Sequence, residues 1–253
     1  MRSALTIARR DISSSFYTPL AYVVGAGFMF LTGFFFFNIL QDFNVSAQQA
    51  TLTSDVAPNL NDFVVTRYFQ IIDIVLIFLL PVLTMRALAE ERRGGTFELL
   101  ITSPISITDI ILGKFFALSF VITCMLFLSF VFPMVLIFVS DPEVAPILVG
   151  CGGMLLFSYA FVALGIAVSA ATKSQTMAGV ISLVLFLVFF LIDTPAEKME
   201  GLPAAILRYL SPASHGNAFF QGVIQGSDLI FFLSITAFGL FFAHRVLEAV
   251  RWR

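Results

Sequence analysis

The densest group of chemically distinctive residues lies between Glu90 and Lys114. A charged cluster, Glu90-Glu91-Arg92-Arg93, precedes Gly94-Gly95 and Thr96, and Phe97, Leu100 and Ile101 follow. Their i, i+3, i+4 spacing puts these three side chains on one helical face, with Thr96 placed to cap the helix and Pro104 to end it. Ser106 or Thr108 can cap the next helix, with Asp109 favourable in its first turn. Docking is the chemistry open to such a helix. It is bracketed by turns, and its apolar face needs a lipid surface or a protein groove. Nucleotide hydrolysis is not open to it. Gly113-Lys114 is the one Gly-Lys pair in the chain, and Thr108 and Phe115 stand where a phosphate-cradling loop needs its first Gly and its hydroxyl residue.

The other reactive side chains are sparse. The two histidines are 29 positions apart and no His/Cys cluster has metal-ligand spacing, so no metal site is expected. His215 reads as a polar residue of a turn rather than a catalyst. Cys124 and Cys151 lie in apolar stretches and read as buried free thiols. Asp73 is the one acidic residue well inside an apolar stretch, and an ionisable group there is a functional candidate. The competing reading places it two turns from the surface, satisfied by Arg67 or by water.

The elements that hold these residues follow from composition. Of 253 residues, 59% are hydrophobic and 12% charged, with 31 Phe. A soluble domain carries about twice that share of charge, so a soluble enzyme, a disordered chain and an ordinary nucleic-acid binder are excluded. The fold class expected is all-α: a polytopic membrane protein with a single transmembrane domain. A bilayer core of ~30 Å needs about 20 apolar residues in a helix. Six stretches qualify, at about 20–40, 68–88, 110–139, 146–171, 177–192 and 229–246. No cleavable signal peptide is evident ahead of the first. Alternating the connectors places 11 of the 14 basic residues on the side holding both termini. The positive-inside rule makes that side cytoplasmic. Residues 1–18 mix apolar and arginine positions and suit an interfacial helix in contact with lipid. Residues 41–67 read as a polar outer loop. Residues 202–224 hold two apolar pieces too short to span, split by Pro212 and turning at Gly216. They are expected to be two short re-entrant helices in the outer leaflet. Pro81 and Pro133 are expected to kink their spans. Gly150, Gly152, Gly153, Gly165 and Ser169 are expected to permit close helix contact.

The run Glu91-Arg92-Arg93-Gly94-Gly95-Thr96-Phe97-Glu98-Leu99-Leu100, with Pro104 and Gly113-Lys114, resembles the signature of type-two ABC exporter permeases. Phe97 stands where that family usually has Leu. Arg9-Arg10-Asp11-Ile12 and Pro19-Leu20-Ala21-Tyr22 are similar to the amino-terminal helix and first-span start of those permeases. Leu210-Ser211-Pro212, His215 and Gly222-Val223-Ile224 are similar to the segment before their last span. The likeness covers nearly the whole chain and is closest to the gliding-motility-associated branch. It implies that the helix at 96–104 is a coupling helix docking into a separate ATPase, through Glu91, Gly95, Thr96, Phe97, Glu98, Leu99, Leu100 and Pro104. It also implies a re-entrant gate that includes Leu210, Pro212, His215, Phe219 and Gly222. Two ATPase copies would bind ATP and Mg, while this chain binds no cofactor and hydrolyses nothing. A second copy of the permease or a paralogue completes the implied complex in a bacterial inner membrane, with a large auxiliary extracytoplasmic protein as a further partner and no nucleic acid. The cargo expected is amphipathic or lipid-linked. A mechanotransmission scaffold without transport and an ion-gradient-driven secondary transporter are the alternatives.

Overall fold

The computed structural model describes residues 2–53, 58–89, 95, 105–139, 142–199 and 201–251. Eleven helices account for nearly all of these. Helix α1 (Arg2–Tyr17) precedes α2 (Pro19–Thr53), and a π-helical stretch, Asn61–Val65, leads into α3 (Thr66–Thr84). Then come α4 (Ile107–Ser129), α5 (Val131–Val139), α6 (Val144–Ala171) and α7 (Gln175–Leu191). The short α8 (Asp193–Lys198), α9 (Leu202–Leu210) and α10 (Pro212–Phe220) connect to α11 (Gly226–Arg251). Among the described residues there is no strand, and six helical segments are long and apolar enough to cross a membrane.

Helix α6 is the hub. Of its most apolar window, 67% is buried, against 17% for α7 and for α11, so α6 is wrapped by protein while those two present apolar surface outward. Small residues bring its neighbours close. A Cβ on Gly150 would overlap the Phe69 ring of α3, and one on Gly165 would overlap Thr84 Oγ1. The backbone of Ala163 lies 2.7 Å from where a Cβ on Gly239 of α11 would stand. Helices in lipid gain little from burying apolar surface, so backbone proximity and dispersion contacts hold them together. The outward faces of α2 and α11 carry Phe30, Phe34, Phe37, Phe238, Phe241 and Phe242, all exposed in the single chain. Lipid or another subunit must cover that much apolar area.

Helix α2 continues past the end of its apolar stretch. The expected loop at 41–67 is helical as far as Thr53. No Gly or Pro occurs between Gly33 and Pro58 to interrupt it. Ser46, Thr51 and Thr53 return their hydroxyls to carbonyls of their own helix, with Ser46 Oγ donating to Asp42 O at 2.8 Å. Hydropathy marks where a membrane could end, whereas a helix ends where its hydrogen bonding is interrupted.

The third span breaks in two at Phe130, beside Pro133. Proline has no N–H to offer the carbonyl four residues earlier, that of Ser129. Tyr68 on α3, fully buried, supplies the missing donor: its hydroxyl donates to Ser129 O at 2.9 Å and lies 2.6 Å from Ser129 Oγ. Tyr68→Phe is therefore expected to leave a buried carbonyl unsatisfied and to cost about 1–2 kcal/mol. Thermal unfolding of the detergent-solubilised protein measures this, and an unchanged midpoint would contradict it.

Candidate functional site

Helix α1 and the C-terminal part of α11 lie at one end of the bundle, both beside the start of α4. Helix α1 packs on the first turns of α4, where Ile7 and Ala4 cover Gly113; a Cβ there would come within 2.8 Å of Ile7 Cβ. Asp11 Oδ2 pairs with Lys114 Nζ at 2.8 Å, and Arg10 reaches Asp11 Oδ1 at 2.9 Å. The Asp11 and Lys114 side chains are 17% and 10% exposed, so this bridge lies within the helix contact and fixes the register of α1 on α4. The interfacial helix read from sequence is thus a docked element. It meets Gly113-Lys114, the pair that failed as a phosphate loop.

The segment between α3 and α4 starts and ends at this same end. Within it Glu91, Thr96, Phe97, Glu98, Leu99, Leu100 and Pro104 lie outside the described residues, and Gly95 is described. Gly95 has φ +69°, the left-handed conformation that glycine adopts without a Cβ clash, in keeping with a turn there.

Both bases of the segment are held. At its far base, Ser106 caps α4 by accepting from Asp109 N at 3.1 Å, and Ile105 and Ile107 pack against the core. At its near base, the turn after α3 is held by Ser169 of α6. Ser169 Oγ accepts from Leu88 N at 3.1 Å and Ala89 N at 3.3 Å, and donates to Met85 O at 3.3 Å. One hydroxyl thus uses its donor and both lone pairs on a single backbone turn. It is fully buried, one helical turn beyond Gly165, which admits Thr84.

The opposite end carries the candidate gate. The sequence places α9 at Leu202–Leu210, and the helix has those bounds. Leu202, Ile206, Tyr209 and Leu210 are exposed on it and only Ala204 is buried, so its apolar face has no cover among the described residues. Pro212 is the first residue of α10 and Ser211 caps it by accepting from Ser214 N. The turn expected at Gly216 falls instead at Gly222. Gly216 is buried inside α10, while Gly222 has φ +81°. Gly222 N donates to Phe219 O and Val223 N to Ala218 O, both at 2.9 Å, the paired bonds of a Schellman ending. A Cβ on Gly222 would also lie 2.9 Å from Pro146 Cα, so this position needs glycine for conformation and for space.

Helix α10 is anchored to four helices. Phe219 sits over Gly153 of α6, and Phe220 stacks on Phe69 of α3 at 5.4 Å. Thr66 Oγ1 donates to Phe220 O at 3.2 Å, and Gln70 Nε2 to Asn217 Oδ1 at 3.0 Å. His215 ties α10 to α11 and α9. Its Nδ1 is 2.6 Å from Asp228 Oδ1 and its Nε2 is 3.0 Å from Tyr209 O, with the ring stacked on Phe231. His215 is therefore the hinge-pin of three elements and not a residue of an open turn. The sequence places Asp228 among outer-loop acids, yet it is buried at 3% exposure. Nothing in the local pattern links positions 215 and 228.

Asp73 is also buried, at 3% exposure, and its Oδ1 has no hydrogen-bond partner among the described residues. Arg67 does not pair with it; that guanidinium lies 3.8 Å above the Phe63 ring. Asp73 follows Thr66 and Gln70 on one stripe of α3, about one turn beyond Gln70, which bonds to Asn217 of α10. Cys124 and Cys151 are free thiols. No group of His, Cys, Asp or Glu among the described residues could hold a metal ion.

Six apolar helices, outward-facing aromatic surface and short broken helices at one end define a polytopic all-α membrane protein. More particularly, the chain belongs to the ABC-2 family transporter proteins, whose family model matches residues 5–246. It is thus a transmembrane subunit of an ABC transporter, and membership implies an ATPase partner subunit. No curated protein matches the chain.

Proposed function

We propose that this chain is the permease of an ATP-driven exporter and that residues 90–104 are the element through which its ATPase acts. One observation carries the reading. The segment springs from two anchored bases at the end of the bundle that holds α1 and the C-terminal part of α11: the turn clamped by Ser169, and the start of α4 braced by α1. A segment rooted in this way passes a push on it to the bundle rather than absorbing it. ATP and Mg would be held by two copies of the ATPase, which would also perform the hydrolysis. A second permease copy would cover apolar faces such as that of α9, and the cytoplasm would lie on the side of the termini, in a bacterial inner membrane. ATP binding would shift the population between two arrangements of the spans, with α9 and α10 closing the far end in one of them. An amphipathic or lipid-linked cargo fits the aromatic surface, and Asp73 would lie along its path.

The test is reconstitution of the permease with its ATPase subunit in vesicles, using a fluorescent phospholipid as the cargo probe. ATP with Mg is expected to move the probe between leaflets, and the permease alone to leave it in place. Movement that needs an ion gradient instead of ATP would refute the reading.

A further inference from the structure

Ser169 does more than pack. A serine at a helix contact needs one partner, and Ser158, sixteen ångströms or so along the same helix at 1.5 Å per residue, takes a carbonyl of its own helix. Its Oγ donates to Met154 O at 2.7 Å. Ser169 turns outward instead and binds three backbone groups of the turn 85–89. The two amides it accepts from, Leu88 N and Ala89 N, are the last described before the segment 90–104. Gly165 brings Thr84 against the same face one turn away. The root of the segment is therefore attached to α6 by polar bonds as well as by packing.

Helix α6 runs unbroken from there to the opposite end. From Ser169 back to Gly153 is ~24 Å of continuous helix at 1.5 Å per residue. Gly153 lies under Phe219 of α10, and Pro146 lies under Gly222 at the turn that ends α10. Short α10 thus rests on the same rod that Ser169 grips at the other end.

We propose that Ser169 is a positioning residue for transport: it locks the root of the 90–104 segment to α6, and α6 carries displacement of that segment to α10. This rests on the reading of residues 90–104 as the ATPase contact. Without the lock, the turn could slide on α6 while the ATPase stays bound, so that docking would survive and transmission would fail.

The experiment uses the complete permease–ATPase complex in lipid nanodiscs, with Gln221→Cys as a reporter. Gln221 is exposed at the end of α10, whereas Cys124 and Cys151 lie within spans, so the chain without the reporter serves as the blank. The labelling rate with a membrane-impermeant maleimide is measured with and without ATP and Mg, beside capture of the ATPase. With Ser169 present the two rates are expected to differ. Ser169→Ala should lower the ratio of the two rates about 5- to 10-fold, the scale set by one lost buried hydrogen-bonding centre. ATPase capture should be unchanged. Ser158→Ala removes a buried hydroxyl from the same helix without touching the turn, and should keep the full ratio.

An unchanged ratio in Ser169→Ala would overturn the proposal. So would equal loss in Ser158→Ala, which would make the effect one of helix packing. Loss of ATPase capture by Ser169→Ala would also overturn it, by making Ser169 a docking residue. Failure of the underlying reading is separately visible, because variants at Glu98 and Leu100 would then still capture the ATPase.

Discussion

Leu100→Asp is expected to abolish capture of the ATPase subunit while the spans remain folded. Leu100 is the centre of the apolar face formed with Phe97 and Ile101 on the segment proposed to dock. A central apolar anchor at a protein interface is worth about 2 kcal/mol or more, and a carboxylate in its place adds the cost of burying a charge without a partner. Together these predict a loss of affinity of about 30-fold or more at about 2 kcal/mol. Glu98→Lys reverses a charge beside that face and should weaken capture to a lesser degree. Affinity purification of the complex from membranes measures both, with the melting profile of the isolated permease as the control for folding. Normal capture and normal ATP-dependent activity in both variants would remove residues 90–104 from the contact.

The second large effect is expected inside the bundle. Gly153→Val should destabilise the protein, and Gly152→Val should not. The two glycines are neighbours in the sequence and opposites in the fold. A Cβ on Gly153 would lie 2.6 Å from Phe219 Cγ, whereas nothing stands within 4 Å of one on Gly152. Phe219 is 2% exposed and cannot swing away, because it is packed between α6 and Phe232 of α11. Forcing branched carbon into that contact costs about 3 kcal/mol, and the strain can be relieved by lifting α10 off α6. Loss of that contact would also free Phe220 from Phe69. The measurement is the unfolding midpoint in detergent, with protease sensitivity at residues 221–225 as the local readout. Equal midpoints for the two valine variants would show that α10 does not depend on Gly153.

The segment 202–224 shows how local and tertiary information divide. Leu202–Leu210 was legible as a helix to the residue, since its apolar period and the Ser211-Pro212 ending are properties of a short stretch of chain. The sequence points to a turn at Gly216, because a glycine between two apolar clusters looks like a break. The backbone uses that glycine inside a helix and makes its left-handed turn at Gly222, where Pro146 from a distant part of the chain leaves no room for a Cβ. His215 had the same limitation. Its type was visible, but its bonds to Asp228 and to the Tyr209 carbonyl join three elements whose approach no periodicity encodes.

By itself the sequence determined that the chain is helical, that six stretches can span a bilayer, and that the helix after the 90–104 segment starts at a Ser106 or Thr108 cap, of which the structure uses Ser106. Each follows from the free energy of a few consecutive residues in lipid or water, and such energies do not depend on what packs alongside. Only the tertiary structure decided that α1 docks on Gly113 through Asp11 and Lys114, and that Tyr68 answers the carbonyl freed by Pro133. The same holds for which of two adjacent glycines bears a helix contact, and for Ser169 gripping the turn at 85–89. These are pair interactions between positions tens of residues apart. Their energies exist only once the helices are side by side, at distances that one helix's own geometry does not set.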